Sequence, residues 1–247
     1  MASPYSTGGG GTHFEARVAA SCLTAVLCET AVRGLPGDFA KEVQTQRAAF
    51  GDPLDDIIVK GVHQDGRETQ LDLQTKSKLT FTENDEEWIA TLKQAWDTFS
   101  KTSFKPDVQR FGVGIATYNA RVDQHYQSVL TWASHSTSGL HFRERIEKGD
   151  YSHRDKQTFV TTVRNVIKQH AAREIEDDEL WHFLASFVII HFDFELDDQS
   201  RDTSASIERI REMLSPDALS SARSIWDHLI AKAGEMIPVG GGATRST

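Results

Sequence analysis

The β-branched run Ile57-Ile58-Val59 begins at the paired acids Asp55-Asp56, continues to Val62-His63 and is followed by Gln64-Asp65-Gly66-Arg67. Asp-Gly between two apolar runs is a strong hairpin signal, because glycine accepts the positive φ of a tight turn. The return run, Glu68 to Lys76, alternates at Leu71 and Leu73. Nine positions separate Asp56 from Asp65 and nine separate Asp65 from Gln74, so closing the hairpin lays the Asp56 end beside Gln74. Strand residues two apart share a face, which puts Gln74 and Lys76 together. A carboxylate, an amide oxygen and an ammonium therefore meet at one rim of a sheet. Hard oxygen ligands beside a lysine suit metal-assisted phosphodiester cleavage: Mg²⁺ takes oxygen donors, polarises the phosphate and acidifies a bound water, and the lysine positions that water and offsets the growing charge.

Around the hairpin the chain reads as alternating elements. Thr12 with Glu15 forms a capping-box pattern ahead of Phe14, Val18, Cys22 and Val26, which predicts a helix running to about Val32, where Gly34-Leu-Pro-Gly stops it. Glu42 to Phe50 is strand-like, Asn84 to Lys101 carries Trp88, Leu92, Ala95, Trp96 and Phe99 at helical spacing, and Phe111 to Thr117 is an apolar strand. From Asn119 the pattern is helical over 119–134, 138–148, 154–172, 178–187, 203–214 and 216–234, with Phe187 to Glu195 as a late strand. The expected division is a flexible segment over 1–11, an α/β core over 12–118, a mainly helical region over 119–235 and a flexible tail over 236–247 ending Gly240-Gly-Gly. No internal repeat is visible.

Composition narrows the function class. Of 247 residues, 38% are hydrophobic and 26% charged, enough apolar content for a packed core. No apolar run is long enough to span a membrane, and the first residues lack the features of a signal peptide, so a cytoplasmic location is expected. Cys22 and Cys28 fit no zinc spacing and read as small core residues, and the ten histidines show no HxH or HxxxH pattern. The tryptophans sit at core spacing. No GxGxxG and no Gly-Lys-Ser/Thr loop is present. The net charge of −9 argues against a protein that coats nucleic acid, yet it is segregated: Arg110 to Arg173 holds ten Lys/Arg against five acids, and Glu174 to Asp198 holds nine acids and no Lys or Arg. The basic stretch reads as a solvated helix surface or as a face for a polyanion, with Arg143, Arg145 and Lys148 as candidate DNA contacts alongside Lys78.

With Glu15 on the first helix, Asp56 before a hydrophobic strand and Gln74-x-Lys76 closing the next, the chain resembles the PD-(D/E)xK nuclease superfamily in its Gln-x-Lys, Mrr-like form. Gly-Gly-x-x-Phe14-Glu15 and Asp55-Asp56-Ile-Ile-Val are similar to the N-terminal nuclease domains of bacterial antiphage effectors, both those activated by cyclic oligonucleotides and those fused to AVAST-type STAND NTPases. Trp181-His-Phe-Leu and Phe192-Asp-Phe-Glu195 form a weaker echo of the latter. The motifs cover about residues 8–118. The resemblance implies a restriction-endonuclease-like mixed sheet flanked by helices, with Asp56, Gln74, Lys76 and Glu15 catalytic and Asp56, Gln74 and Glu15 holding Mg²⁺, for which Mn²⁺ would substitute. Gln74 departs from the Asp or Glu of most members, and a neutral amide holds Mg²⁺ less strongly. From the residues alone, Glu15 is either a cap or a ligand, and Asp55 either a turn residue following Pro53 or part of the site.

The leading expectation is therefore a Mg²⁺-dependent endonuclease acting on double-stranded DNA with little sequence preference, active as a homo-oligomer and linked to a sensor or NTPase module that is fused or separate. The alternatives are an inactive nuclease-fold module serving as a DNA-binding or oligomerisation platform, and a helical adaptor.

Overall fold

The computed structural model describes residues 9–148, 153–194 and 200–245. The elements are α1 (Gly9–Leu27), β1 (Phe39–Thr45), β2 (Ile57–Val62), β3 (Glu68–Lys76), α2 (Glu86–Phe99), β4 (Gln109–Ile115), α3 (Gln127–His135), α4 (Gly139–Glu147), α5 (Arg154–Ala171), α6 (Asp177–Ser186), β5 (Phe187–His191), α7 (Arg201–Met213), α8 (Ala222–Met236) and β6 (Gly242–Thr244). The strands form one mixed sheet in the order β5-β4-β3-β2-β1-β6. β1, β2, β3 and β6 pair antiparallel, while β3–β4 and β4–β5 are parallel. Helices cover both faces, so the expected α/β class with a mixed, helix-flanked sheet holds.

β2 and β3 pair in the register the hairpin arithmetic requires. Ile57 stands opposite Leu73 and Val59 opposite Leu71, so the ladder brings Asp56, just before β2, to the end of β3. Ile57, Val59, Leu71 and Leu73 are fully buried against α1, α7 and α8 with Phe14, Val18, Cys22 and Trp226. On the opposite face Phe111, Val113 and Ile115 of β4 pack with Trp88, Leu92 and Trp96 of α2 and with the helices from α3 to α6. β3 is covered on both faces, not one. Asp72 and Gln74 alternate to the α2 side, next to Phe111 and Val113, and each is under 10% exposed. A central strand buried on both faces ordinarily carries apolar residues throughout.

Three expectations need correction. α1 already includes Gly9, so Thr12 lies inside the helix and does not begin it, and residues 9–11 of the expected flexible segment are helical. Packing of Phe14, Val18, Ala19 and Cys22 holds the helix in spite of its glycines, since tertiary burial outweighs propensity. The boundary near Tyr118 divides neither the sheet nor the core: β5 lies parallel to β4, and α8 packs along α1. The tail is not loose in its described part. β6 covers the outer edge of β1, pairing Glu42, Val43 and Gln44 with Thr244, Ala243 and Gly242. An open edge strand exposes unpaired backbone groups, and three residues suffice to cover this one.

The late strand is present over Phe187–His191, while Glu195 falls outside the described residues. Gly112 is required where β4 meets β5, because a Cβ there would stand 1.9 Å from the Val188 carbonyl oxygen. No described helix is long and apolar enough to cross a membrane.

Candidate active site

The site forms where α1, the end of β1, the start of β2 and the end of β3 meet. Asp56 Oδ2 accepts from the Thr75 backbone N–H at 2.7 Å and from Thr75 Oγ1 at 3.1 Å, which ties the β2 carboxylate between Gln74 and Lys76. Its other oxygen, Oδ1, is 3.4 Å from Gln46 Nε2, and that same nitrogen donates to Glu15 Oε1 at 2.7 Å. The helix acid and the strand acid are thus joined by one amide. Glu15 is a member of the constellation, and its capping role lapses because α1 starts earlier.

Gln46 occupies the left-handed region at φ +50°, one residue past β1. That conformation is unfavourable for a non-glycine residue and concentrates at functional sites. It is held by the turn across β1 and β2, in which the Gln46 and Arg47 N–H groups donate to the carbonyls of Asp56 and Asp55. Asp55 itself uses Oδ2 to accept from the Ala48 N–H at 3.1 Å, so its side chain locks the loop that presents Gln46.

Burial pushes the Glu15 carboxyl up to about 7; the Gln46 hydrogen bond and the Lys76 charge oppose the rise, and Asp56 and Asp55 add to it. Asp56 is also raised by burial, against the Thr75 hydrogen bonds and Lys76. Asp55 is raised by burial, against the Ala48 N–H. Three partly desolvated carboxylates with one ammonium leave the site short of positive charge, the condition in which a divalent cation stabilises it. The Gln74 Oε1 atom is buried with no hydrogen-bond partner. An unsatisfied buried amide oxygen is costly and calls for a partner. The residues therefore fit a hard cation: Asp56, Gln74 and Glu15 would hold it through oxygen.

Sequence reasoning missed Gln46 and Thr75. The signal for Thr75 was its place between Gln74 and Lys76, with alternation turning it to the opposite face. Gln46 lies in a loop and carries no motif. Asp72 was also missed: it is buried two residues before Gln74, accepts from Gln70 Nε2 at 2.7 Å and is pushed up to about 7 by burial.

The candidate DNA contacts divide. Lys78 is exposed, two residues past the end of β3. Arg143, Arg145 and Lys148 belong to α4 and its C-terminal end, and α4 packs on α3, α5 and α6, in the helical layer. Arg143 is committed to Asp177 at 2.6 Å, and Arg145 lies 5.0 Å over the Trp132 ring. The charge segregation closes on itself: Arg164 also binds Asp177 at 2.6 Å, Lys168 pairs with Glu174, and Arg173 with Glu179 at 2.7 Å. Four of the ten basic residues expected to form a face over Arg110 to Arg173 are thus paired with the acidic stretch that follows.

No family model and no curated protein matches the chain. Among solved structures the fold is similar to the Moraxella osloensis Cap4 SAVED/CARF-domain containing receptor, at 14% identity over 96% of this chain and 45% of that one, with a TM-score of 0.46. It is similar also to the Acinetobacter baumannii Cap4 SAVED/CARF-domain containing receptor solved with the cyclic trinucleotide 2'3'3'-cAAA, at 11% identity over 95% and 43%, with a TM-score of 0.48. The chain spans less than half the length of these structures.

Proposed function

We propose that the chain is a metal-dependent endodeoxyribonuclease, the effector part of an antiphage system. The observation that carries the catalytic reading is the joining of Glu15 to Asp56 through the Gln46 amide at the rim that ends in Lys76, with the Gln74 oxygen in the same strand end buried and unpartnered. The defence role rests on the motif resemblance alone.

Asp56, Gln74 and Glu15 supply the oxygen ligands. Mg²⁺, when bound, polarises the scissile phosphate and lowers the pKa of a coordinated water. Gln46 orients the two carboxylates by donating to both, and Thr75 fixes the second lone-pair direction of Asp56. Lys76 would hold the attacking water and offset negative charge as the water oxygen bonds to phosphorus and the phosphorus–O3′ bond breaks, with the water's proton passing to solvent and O3′ taking one from solvent. Lys78 and the exposed Phe50, whose ring lies under the Arg47 guanidinium at 3.5 Å, flank the rim and suit a phosphate backbone and an unstacked base. Such contacts carry little base information, hence low sequence preference.

One rim cuts one strand, so a double-strand break takes two copies facing opposite strands, most simply as a two-fold pair.

The test is plasmid cleavage in Mg²⁺ by the wild-type chain and by Lys76→Ala. The variant removes a charge at a rim and no core volume, so it folds and loses cleavage by at least about a hundredfold. Wild-type rates from Lys76→Ala would overturn the assignment. Duplex binding without cleavage by the wild-type chain, in Mg²⁺ and in Mn²⁺, would make the rim that of an inactive platform.

A further inference from the structure

Gln46 is gripped on two sides, and only one of them belongs to the turn between β1 and β2. On the β2 side its N–H and that of Arg47 donate to the carbonyls of Asp56 and Asp55. On the outer side lies the pair Gly240-Gly241, which leads into β6. The Thr45 N–H donates to the Gly241 carbonyl at 2.9 Å, and Thr45 Oγ1 donates to the same oxygen at 3.3 Å. Gly240 abuts the next carbonyl, since a Cβ there would stand 3.0 Å from the Gln46 oxygen and 3.7 Å from that of Thr45. Thr45 is fully buried, so water does not compete for these contacts.

The glycine pair is itself anchored. The Gly241 N–H donates to the Met236 carbonyl at 3.0 Å and the Gly240 N–H to that of Ile237 at 3.4 Å, across a 3₁₀ turn over Ile237–Val239 that follows α8. Met236 and Ile237 are buried, and α8 packs along α1, the helix that carries Glu15. Both partners of the Gln46–Glu15 hydrogen bond are therefore fastened to one unit, Glu15 by the packing of α1 on α8 and Gln46 through Thr45 and Gly240.

We propose that Gly240 and Gly241 are positioning residues of the metal site, holding Thr45 and Gln46 so that the Gln46 amide reaches Glu15 and Asp56. The inference rests on the metal-site reading above and adds to it residues that touch neither acid. A non-glycine residue at φ +50° persists only where its surroundings over-determine it. With β2 as its sole support, Gln46 would relax toward an ordinary backbone conformation and its amide would swing away from both carboxylates. The second grip prevents this. Glycine is required at 240 on two counts, the positive φ of +63° and the close approach of the Gln46 carbonyl. The coupling runs both ways: a segment that stabilises the metal-binding arrangement is itself held more firmly once metal binds.

The test is Mn²⁺ binding to the full chain without DNA, read from the EPR signal of the free ion, in wild type, Gly240→Ala and Gly66→Ala. Gly66 also has a left-handed backbone, φ +85°, but lies at the far turn of the hairpin, where a Cβ meets nothing within 4 Å. Both alanines thus carry backbone strain, and only one presses on Gln46. Wild type binds Mn²⁺ and Asp56→Asn does not, which assigns the signal to the rim. Gly240→Ala weakens binding by about tenfold or more, as when an outer partner of a metal ligand is lost, while Gly66→Ala leaves it unchanged. A second measurement needs no variant. Mn²⁺ slows hydrogen exchange at the Thr45 N–H of wild type more than at the His63 N–H, which bonds to the Arg67 carbonyl at the far end of the hairpin. Equal Mn²⁺ affinity in Gly240→Ala and Gly66→Ala, or Thr45 exchange indifferent to Mn²⁺, would overturn the proposal and leave the metal site standing. Absence of Mn²⁺ binding in wild type would overturn the reading on which it rests, and the proposal with it.

Discussion

Gln46 Nε2 lies 2.7 Å from Glu15 Oε1, so an amide in a left-handed turn residue holds a carboxylate from the first helix. The same nitrogen reaches Asp56 Oδ1 at 3.4 Å. An unfavourable backbone conformation is retained where surrounding structure over-determines it, and here it serves to aim one donor at two acids.

Gln46→Ala removes that donor and no core volume. Glu15 then loses a hydrogen bond that favours its charged form, and neither carboxylate is oriented. The concentration of Mg²⁺ giving half-maximal cleavage rises by about tenfold or more, as for other outer partners of metal ligands. Initial rates against Mg²⁺ measure this. A variant with lower rate but an unchanged Mg²⁺ midpoint would make Gln46 a structural residue only.

Stability in the absence of divalent metal should fall as pH rises. Glu15 and Asp72, raised to about 7 in the folded chain, keep protons there that the unfolded chain releases above about 4 to 4.5. The folded state thus binds more protons between those values, and its advantage is lost as pH climbs through that window. Asp72→Asn keeps the acceptor for Gln70 and removes the titration. In EDTA its Tm should drop less than wild type between pH 5 and pH 8, by at least about 3 °C. Parallel curves for the two proteins would exclude Asp72 as a source.

Metal choice follows from Gln74. With a neutral amide in the set, Mg²⁺ binds weakly, and Mn²⁺ should support cleavage at lower concentration because nitrogen and oxygen sites hold it more tightly. Titrating both metals checks this, and full activity in EDTA would exclude the mechanism.

Gly112→Ala tests the sheet. Its Cβ would meet the Val188 carbonyl oxygen at 1.9 Å, a backbone atom that cannot turn aside. The β4–β5 pairing must open, at a cost of about 1–3 kcal/mol. Denaturant unfolding gives the value, and an unchanged midpoint would show that β5 is not held by this pairing.

Much of the site was legible because it lies on a hairpin. A two-residue period and an Asp-Gly turn determine which residues meet, so Asp56 and Gln74 could be paired by counting, and the register of Ile57 with Leu73 obeys that count. The helices of the second half were legible for a similar reason, since a 3.6-residue apolar period marks a buried face whatever covers it.

What covers a face, and what neutralises a charge, could not be counted. The stretch from Arg110 to Arg173 reads as a basic surface until Asp177, Glu174 and Glu179 fold back onto Arg143, Arg164, Lys168 and Arg173. The Gly-rich tail reads as loose until the open edge of β1 offers it backbone partners. Gln46 carries no spacing signal, because its meeting with Glu15 and Asp56 depends on how β1 ends. Local sequence thus determined the strands, the helices and the rim of Asp56, Gln74 and Lys76, whose contacts follow from short-range periodicity. Only the tertiary structure decided the joining of Glu15 to that rim, the burial of Asp72 and Gln74, the pairing of opposite charges and the continuity of one sheet across both halves, because those contacts link segments whose separation the chain's local chemistry leaves open.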